Sequence, residues 1–521
     1  MTMMHNEDVS ESTQTQQPHK ASWLILISIG LGVLMAMLDV TIVNVALPTI
    51  QQEFHTSFIS TQWIVNAYTA TYAISILMIS KLGDLYGKKR FFLLSMAVFT
   101  FGSLLCAVAP NSLFLNVSRG IEGVGGAGIL GLSMALVGDN YEGKQRAFIL
   151  GIWGSIVGFG TSVGPLVGGV LVQYFNWRAI FLINIPVGLI AIYLGIRHIT
   201  EKFHATDRHV DLLGMVLSTL TVACIVIGLL NKENDLSQSW LTPKIAGWLV
   251  AGVVLLGIFI LWELHVPHPM MNLALFKERT FVGSCVAAAT ISFGLFAFFT
   301  YMTILMQDYM GYSPLAVGCQ RLLISAFPLV LGAFVGYLVG RIGNRMIACA
   351  ALFLEGIGFF LMHVMLGYHL TWTVLIPAFI FMGLGNAGIN PAISNAALEN
   401  IAPQNMGMAS GINSVFRQLG NCFGIVVQGL ILSAGYRTSI MNSLHHSVLA
   451  QHIVTAGPFA GMALAKYLTR VPHILPLIQH AYYDGVHRLL CVITVIFILS
   501  TVVCWFLLKR KPSSDLPLDQ Q

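Results

Sequence analysis

Apolar stretches of roughly twenty residues recur from one end of the chain to the other, and at ~1.5 Å per residue each is long enough to cross a hydrocarbon layer as a helix. The 521-residue chain gives about fourteen such runs, starting near Ser22, Gln62, Phe91, Ser112, Ala147, Ala179, Asp211, Ile245, Thr280, Ala316, Met346, Thr373, Ser410 and Arg488. Lipid offers backbone groups no hydrogen-bonding partner, so these runs must close their own bonds as helices. Only 9% of residues are charged, against about 25% in a soluble domain. The expected fold class is therefore an all-α polytopic membrane protein with little room for aqueous domains.

Loop charge sets the expected orientation. Even-to-odd connections carry Lys88, Lys89 and Arg90, then Lys144 and Arg146, Arg197, Lys202 and Arg208, Lys277 and Arg279, and Arg341 with Arg345; the tail adds Lys509, Arg510 and Lys511. The short connections on the other side carry mainly Arg178, Lys232 and Lys244. That asymmetry places both termini in the cytoplasm. Met1 to Lys20 is polar and acidic and lacks a basic n-region, so the first run reads as a retained helix, not a cleaved signal. The net charge of +5 reports topology and implies no nucleic acid. The eight cysteines fall in or beside apolar runs without a C-x-x-C pair, which points to packing and not to zinc or disulfides.

One run is unlike the rest. Trp153 to Gly169 holds six glycines and Pro165. Glycine at helical spacing admits a neighbouring backbone, and proline removes a donor and weakens the turn before it. Two readings stand: a helix that moves as a carrier alternates between shapes, or a kinked packing helix.

Two internal repeats share one offset. Ser80 to Lys89 aligns with Gly336 to Arg345, and Gly123-x-Gly125-x-Ala127-Gly128-Ile129 with Gly383-x-Gly385-x-Ala387-Gly388-Ile389, both about 260 residues apart. This suggests two related six-helix halves with two helices inserted between them. The expected division is a tail at 1–21, a first half at 22–200, an insert at 201–279, a second half at 280–509 with a long external loop at 436–486, and a tail at 510–521.

With these residues in order, the chain resembles the major facilitator superfamily, and within it the fourteen-helix drug:proton antiporters of the EmrB/QacA type. Leu38 to Pro48 is similar to the end of their first helix, Trp63 with Tyr68 to the start of their second, and Ser80 to Lys89 to their loop motif. Arg119-x-x-Glu122-Gly123-x-Gly125 resembles their fourth-helix motif, and Gly160-x-x-x-Gly164-Pro165-x-x-Gly168-Gly169 their antiporter motif. Asn176-Trp177-Arg178, Phe181, Asn184 and Pro186 resemble the family's pattern just beyond that motif, and Ser410-Gly411 through Arg417-Gln418-Leu419-Gly420 resembles their thirteenth helix. The loop motif departs from the family, with Ser80 for its first Gly and Leu85 where Arg usually follows Asp84.

The resemblance implies conformational-switch residues at Asp84, Gly87, Lys88, Gly160, Gly164, Pro165, Gly168 and Gly169. Asp84 is expected to rest on the positive end of a facing helix, whereas Lys88, Lys89 and Arg90 read better as topology anchors. Ionisable groups inside spans cost about 2.5–3.5 kcal/mol each and ask for a partner or a function. Asp39, Arg119, Glu122 and Glu355 are thus the proton-coupling candidates. Asp39 is either a proton site or an interfacial group. Glu122 lies one turn from Arg119, where the family usually has Gln, and is either a proton site or a permanent salt bridge. Glu355 is either a second proton site or a polar packing contact.

Function follows as an expectation. The 31 Phe, 22 Met and 15 Tyr suit a vestibule for lipophilic or cationic small molecules. The outer segment carries His445, His446, His452, His473 and His480 without a tetrahedral template, so it reads as a lid or partner dock and no metal is expected. No phosphate-binding G-x-x-x-x-G-K-[ST] occurs and nothing supports an enzyme. The expected function is a proton-coupled antiporter exporting drugs and toxicants across the cytoplasmic membrane, with the proton gradient as energy source and no cofactor. In a Gram-negative cell, a periplasmic adaptor and an outer-membrane channel would be its partners. The alternatives are a dedicated exporter of a metabolite such as a siderophore, and a non-transporting receptor or sensor on the same scaffold.

Overall fold

A computed structural model describes residues 23–56, 58–201, 211–234, 238–267, 269, 271, 273–367, 371–444, 447–467 and 474–509. The two tails, Lys202, His204, Arg208, His445, His446 and His473 lie outside the described residues. Among those described, thirteen helices are long and apolar enough to span a membrane, and a bent pair makes the fourteenth. That pair is the glycine-rich fifth span, where Gly143–Thr161 and Val163–Tyr174 meet at 43°. The bend falls one turn before Pro165, whose ring crowds the carbonyl four residues back.

The repeat read from the sequence reappears as repeated contacts between the third and fourth spans, Lys88–Ala107 and Ser112–Asn140, and between the eleventh and twelfth, Asn344–Met365 and Trp372–Leu398. A Cβ on Gly102 would lie 2.8 Å from the Glu122 backbone, and one on Gly358 would lie 2.9 Å from the Met382 nitrogen. Gly125 closes on Phe99 and Ser95, while Gly385 closes on Glu355 and Ala351. Each pair is related by about the same offset. Gly87 and Gly343 repeat too, both opening the next helix at positive φ, 117° and 101°. Small residues thus let backbones touch at matching heights in both repeats.

The two extra spans, Leu212–Asn234 and Pro243–His265, pack on each other through Gly228 against Leu249 and Gly252 against Ile225. Leu229 joins them to Cys422 and Val426 of the thirteenth span, Met406–Ser443. The ninth span, Arg279–Tyr309, contains two π-helical segments, Ser292–Phe296 and Leu305–Tyr309. Buried Gln428 donates its amide to the Phe293 and Gly294 carbonyls of the first segment.

One expectation changes. The long outer segment is mostly helix: the thirteenth span continues to Ser443, a kinked helix runs Val448–Tyr467, and the last span starts at Ile474, well before Arg488. Ile474, Ile478, Ala481 and Tyr482 are buried at helical spacing, and Tyr482 stacks on Tyr309 at 3.7 Å. Tertiary packing of that stripe holds the segment as helix.

Candidate functional site

The first span, Trp23–Leu47 of the helix Trp23–Phe54, brings Asp39 against the fourth, where Arg119 and Glu122 stand one turn apart on the same face. Arg119 Nη1 lies 2.5 Å from Asp39 Oδ2 and 2.7 Å from Glu122 Oε2. Its Nε donates to the Ile64 carbonyl at 3.1 Å, and the Tyr68 ring covers the guanidinium at 4.4 Å. All three ionisable residues are at most 1% exposed. Asp39 is therefore enclosed by protein.

The third span completes the cage around Glu122. Ser103 donates its hydroxyl to Oε1, and Cys106 Sγ lies 3.4 Å from Oε2. Asn184 in turn donates to Ser103 Oγ at 3.1 Å. Gly102 makes the approach possible, since a side chain there would strike the Glu122 backbone. Two carboxylates thus share one guanidinium. With both ionised the cluster carries a net buried charge; with one protonated it is neutral. Ser103 escaped the sequence reading, and Cys106, read with the other cysteines as a packing residue, stands beside the Glu122 carboxylate.

Glu355 does not join this cluster. It occupies the place in the second repeat that Phe99 holds in the first, is 0% exposed, and neither carboxyl oxygen has a hydrogen-bond partner.

At the end of the bundle bearing the second-to-third connection, Asp84 accepts from the Gly407 and Met408 backbone nitrogens at 2.9 and 2.7 Å. This is the expected seat on a helix N-terminus. Lys88 departs from its reading as an anchor. It is 3% exposed, binds Asp139 at 2.9 Å, lies 3.5 Å from Asp84, and donates to the Pro403 carbonyl at 2.9 Å. Burial among three acceptors makes it part of the contact. Lys89 and Arg90 instead offer backbone nitrogens to the Glu201 carboxylate at 3.2 and 3.1 Å, which caps the third span. A side chain on Gly87 would strike that same carboxylate. At the opposite end, Glu53 accepts from Trp177 Nε1 at 2.6 Å and pairs with Arg178 at 2.7 Å. The Arg178 hydrogen bond holds the Glu53 carboxyl below its ordinary range.

Between these ends the fifth span uses its glycines on two sides. Gly160, Gly164 and Gly168 meet Met37, Thr41 and Ile42 of the first span. Gly151, Gly154 and Gly158 meet Gly332 and Gly336, then Asn390 with Pro391, then Pro328. Gly169 meets nothing within 4 Å, so the expected close approach is missing there.

Paired repeats, a buried charge cluster and, among the described residues, thirteen apolar helices with one bent pair define a polytopic membrane protein. The Major Facilitator Superfamily model matches residues 29–425, and the chain belongs to that family. It is 32% identical over 431 residues to the multidrug resistance protein Stp of Mycobacterium tuberculosis, covering 82% of this chain and 79% of that one. It is 28% identical to the tetracenomycin C resistance and export protein of Streptomyces glaucescens, over 79% of this chain and 76% of that one. The solved structure of the proton:xylose symporter XylE shares the fold at a TM-score of 0.61 and 12% identity, over 94% of this chain and 96% of that one.

Proposed function

We propose that this chain is a proton-driven exporter of lipophilic or cationic drugs and toxicants, moving them out of the cytoplasm by alternating access without cofactor or catalytic step. The observation that carries it is the shared guanidinium: Asp39 and Glu122 both lie within 2.7 Å of Arg119 Nη1, so one proton decides whether the buried cluster is charged or neutral. The names of the two relatives support a drug as cargo, and the abundance of Phe and Met supports a lipophilic one.

In this reading the halves at 22–200 and 280–509 rock about a central site in the cytoplasmic membrane, both tails inside. Asp84 and Lys88 latch the cytoplasmic end. Protonation of the cluster loosens Asp39 from Arg119, and the first span transmits that through Thr41 and Ile42 to Gly164 and Gly168. Glu355 is a second site for a proton.

The test is gradient-driven efflux of ethidium in vesicles. Collapsing the gradient stops it in the unmodified chain. Glu122→Gln retains an acceptor for Ser103 and loses the titratable proton, so gradient-driven efflux falls at least about tenfold while folded protein persists. Full activity in Glu122→Gln and in Asp39→Asn would overturn the role of the cluster.

A further inference from the structure

In the second repeat, buried Arg321 and half-buried Arg417 form no ion pair among the described residues. Arg321 donates to Thr303 Oγ1 at 3.0 Å and packs on the Phe299 ring at 4.2 Å, with its buried Nε left without a partner. Arg417 stands instead among amides. Its Nη1 donates to Asn390 Oδ1 at 2.8 Å and its Nε to Asn413 Oδ1 at 3.4 Å, while buried Nη2 has no partner. The residue is half-buried and keeps accessible surface.

A relay fixes the polarity of what surrounds it. Arginine only donates, so Asn390 must present its oxygen to Arg417 and its nitrogen elsewhere. That nitrogen donates to Asn386 Oδ1 at 3.0 Å. Asn386 then has only its amide nitrogen to offer, and that nitrogen is buried without a partner on a residue 1% exposed. Both loose ends of the relay, Arg417 Nη2 and Asn386 Nδ2, are donors. The cluster lies where the fifth, twelfth and thirteenth spans converge, with Asn386 and Asn390 facing Gly158 and Gly154 of the fifth.

A guanidinium inside a membrane protein with no acid beside it is costly, and an anion repays that cost best through charge-assisted hydrogen bonds. Arg119, in the first repeat, already has two carboxylates. Arg417 has none. We propose that Arg417, Asn390 and Asn386 form a subsite for a carboxylate or similar anionic group on the transported molecule. The cargo is then a lipophilic acid or zwitterion in preference to a plain lipophilic cation. This rests on the exporter reading for the word transported, and it narrows the substrate class.

The test compares rhodamine 110, which has a free carboxylate, with rhodamine 123, its methyl ester, by fluorescence anisotropy on the full chain in nanodiscs. The acid should bind at least about tenfold more tightly, as one hydrogen-bonded charge implies. Arg417→Gln should bring the two dyes within about twofold of each other, and Arg417→Lys should keep the preference. Asn386→Asp places a carboxylate in the relay and should weaken the acid alone, which carries the test if Arg417→Gln does not fold. Equal binding by the unmodified chain, no binding of either dye, or a preference that survives in Asn386→Asp and Arg417→Gln overturns the subsite. Gradient-driven efflux of both dyes without acid preference overturns the subsite and leaves the exporter. Acid-selective binding without gradient-driven efflux of either dye does the reverse.

Discussion

The Asp84 carboxylate of the second span caps the N-terminus of the thirteenth, 324 residues away, with Oδ2 accepting from the Met408 nitrogen at 2.7 Å. Gly407 donates to the other oxygen at 2.9 Å, and a Cβ at Gly407 would intrude on the carboxylate. The contact joins the two repeats at one end of the bundle only. Breaking it should favour whichever state separates them there.

Asp84→Ala removes the charge and both acceptors. A carboxylate on a helix N-terminus contributes about 0.3–2 kcal/mol, so the balance between closed and open ends should move roughly 2- to 30-fold. Spin labels at exposed Tyr86 and Gln404 report the separation, and Asp84→Ala should populate a longer distance while transport falls. An unchanged distance distribution with unchanged transport would remove the latch from the mechanism.

Much of this arrangement was legible because its determinants are local. A lone acid at the end of an apolar run asks for a donor, and Asp84 finds two. Arg119 and Glu122 pair across a single turn, which spacing alone reveals. The partner of Arg119 on the first span was hidden, since it depends on how helices 80 residues apart come together. Lys88 was misread for the same reason. Its sequence surroundings are a basic loop, while Asp139, its partner, lies 51 residues on at the end of the fourth span. The glycines of the fifth span announced close contact without naming the neighbour. The Asn386–Asn390–Arg417 relay left no local signature, because two amides and a guanidinium become one network only when the twelfth and thirteenth spans meet.

Lys88 and Asp139 have counterparts in the second repeat at Asn344 and Glu399, where Asn344 Nδ2 donates to Glu399 Oε2 at 2.6 Å. The first repeat thus holds its carboxylate with an ammonium where the second uses an amide. Lys88→Asn alone strands the buried Asp139 charge and should cost about 3–5 kcal/mol. Lys88→Asn with Asp139→Asn removes both charges together and should recover most of that loss in thermal unfolding followed by tryptophan fluorescence. Recovery should stay incomplete, because Asp84 and the Pro403 carbonyl also lose a donor. Simple addition of the two single losses would show that the pair is not interchangeable.

The glycines of the fifth span give a graded test of whether it moves against the first. Gly164 lies directly on Thr41, and a Cβ at Gly168 would come 2.9 Å from the Ile42 carbonyl, both close to Asp39 in the chain. Leucine at either position wedges the two helices apart, and should block interconversion more than folding. Ligand binding in detergent should then persist while transport in vesicles falls at least about tenfold. Gly169→Leu is the control, since nothing lies within 4 Å of a Cβ there and transport should stay near the unmodified rate. Pro165→Ala should be milder than either wedge, because it returns a backbone donor to the bent turn without adding bulk. If Gly164→Leu and Gly168→Leu transport as well as Gly169→Leu does, the fifth span is passive packing, and movement must be driven through the charged cluster and the Asp84 latch alone.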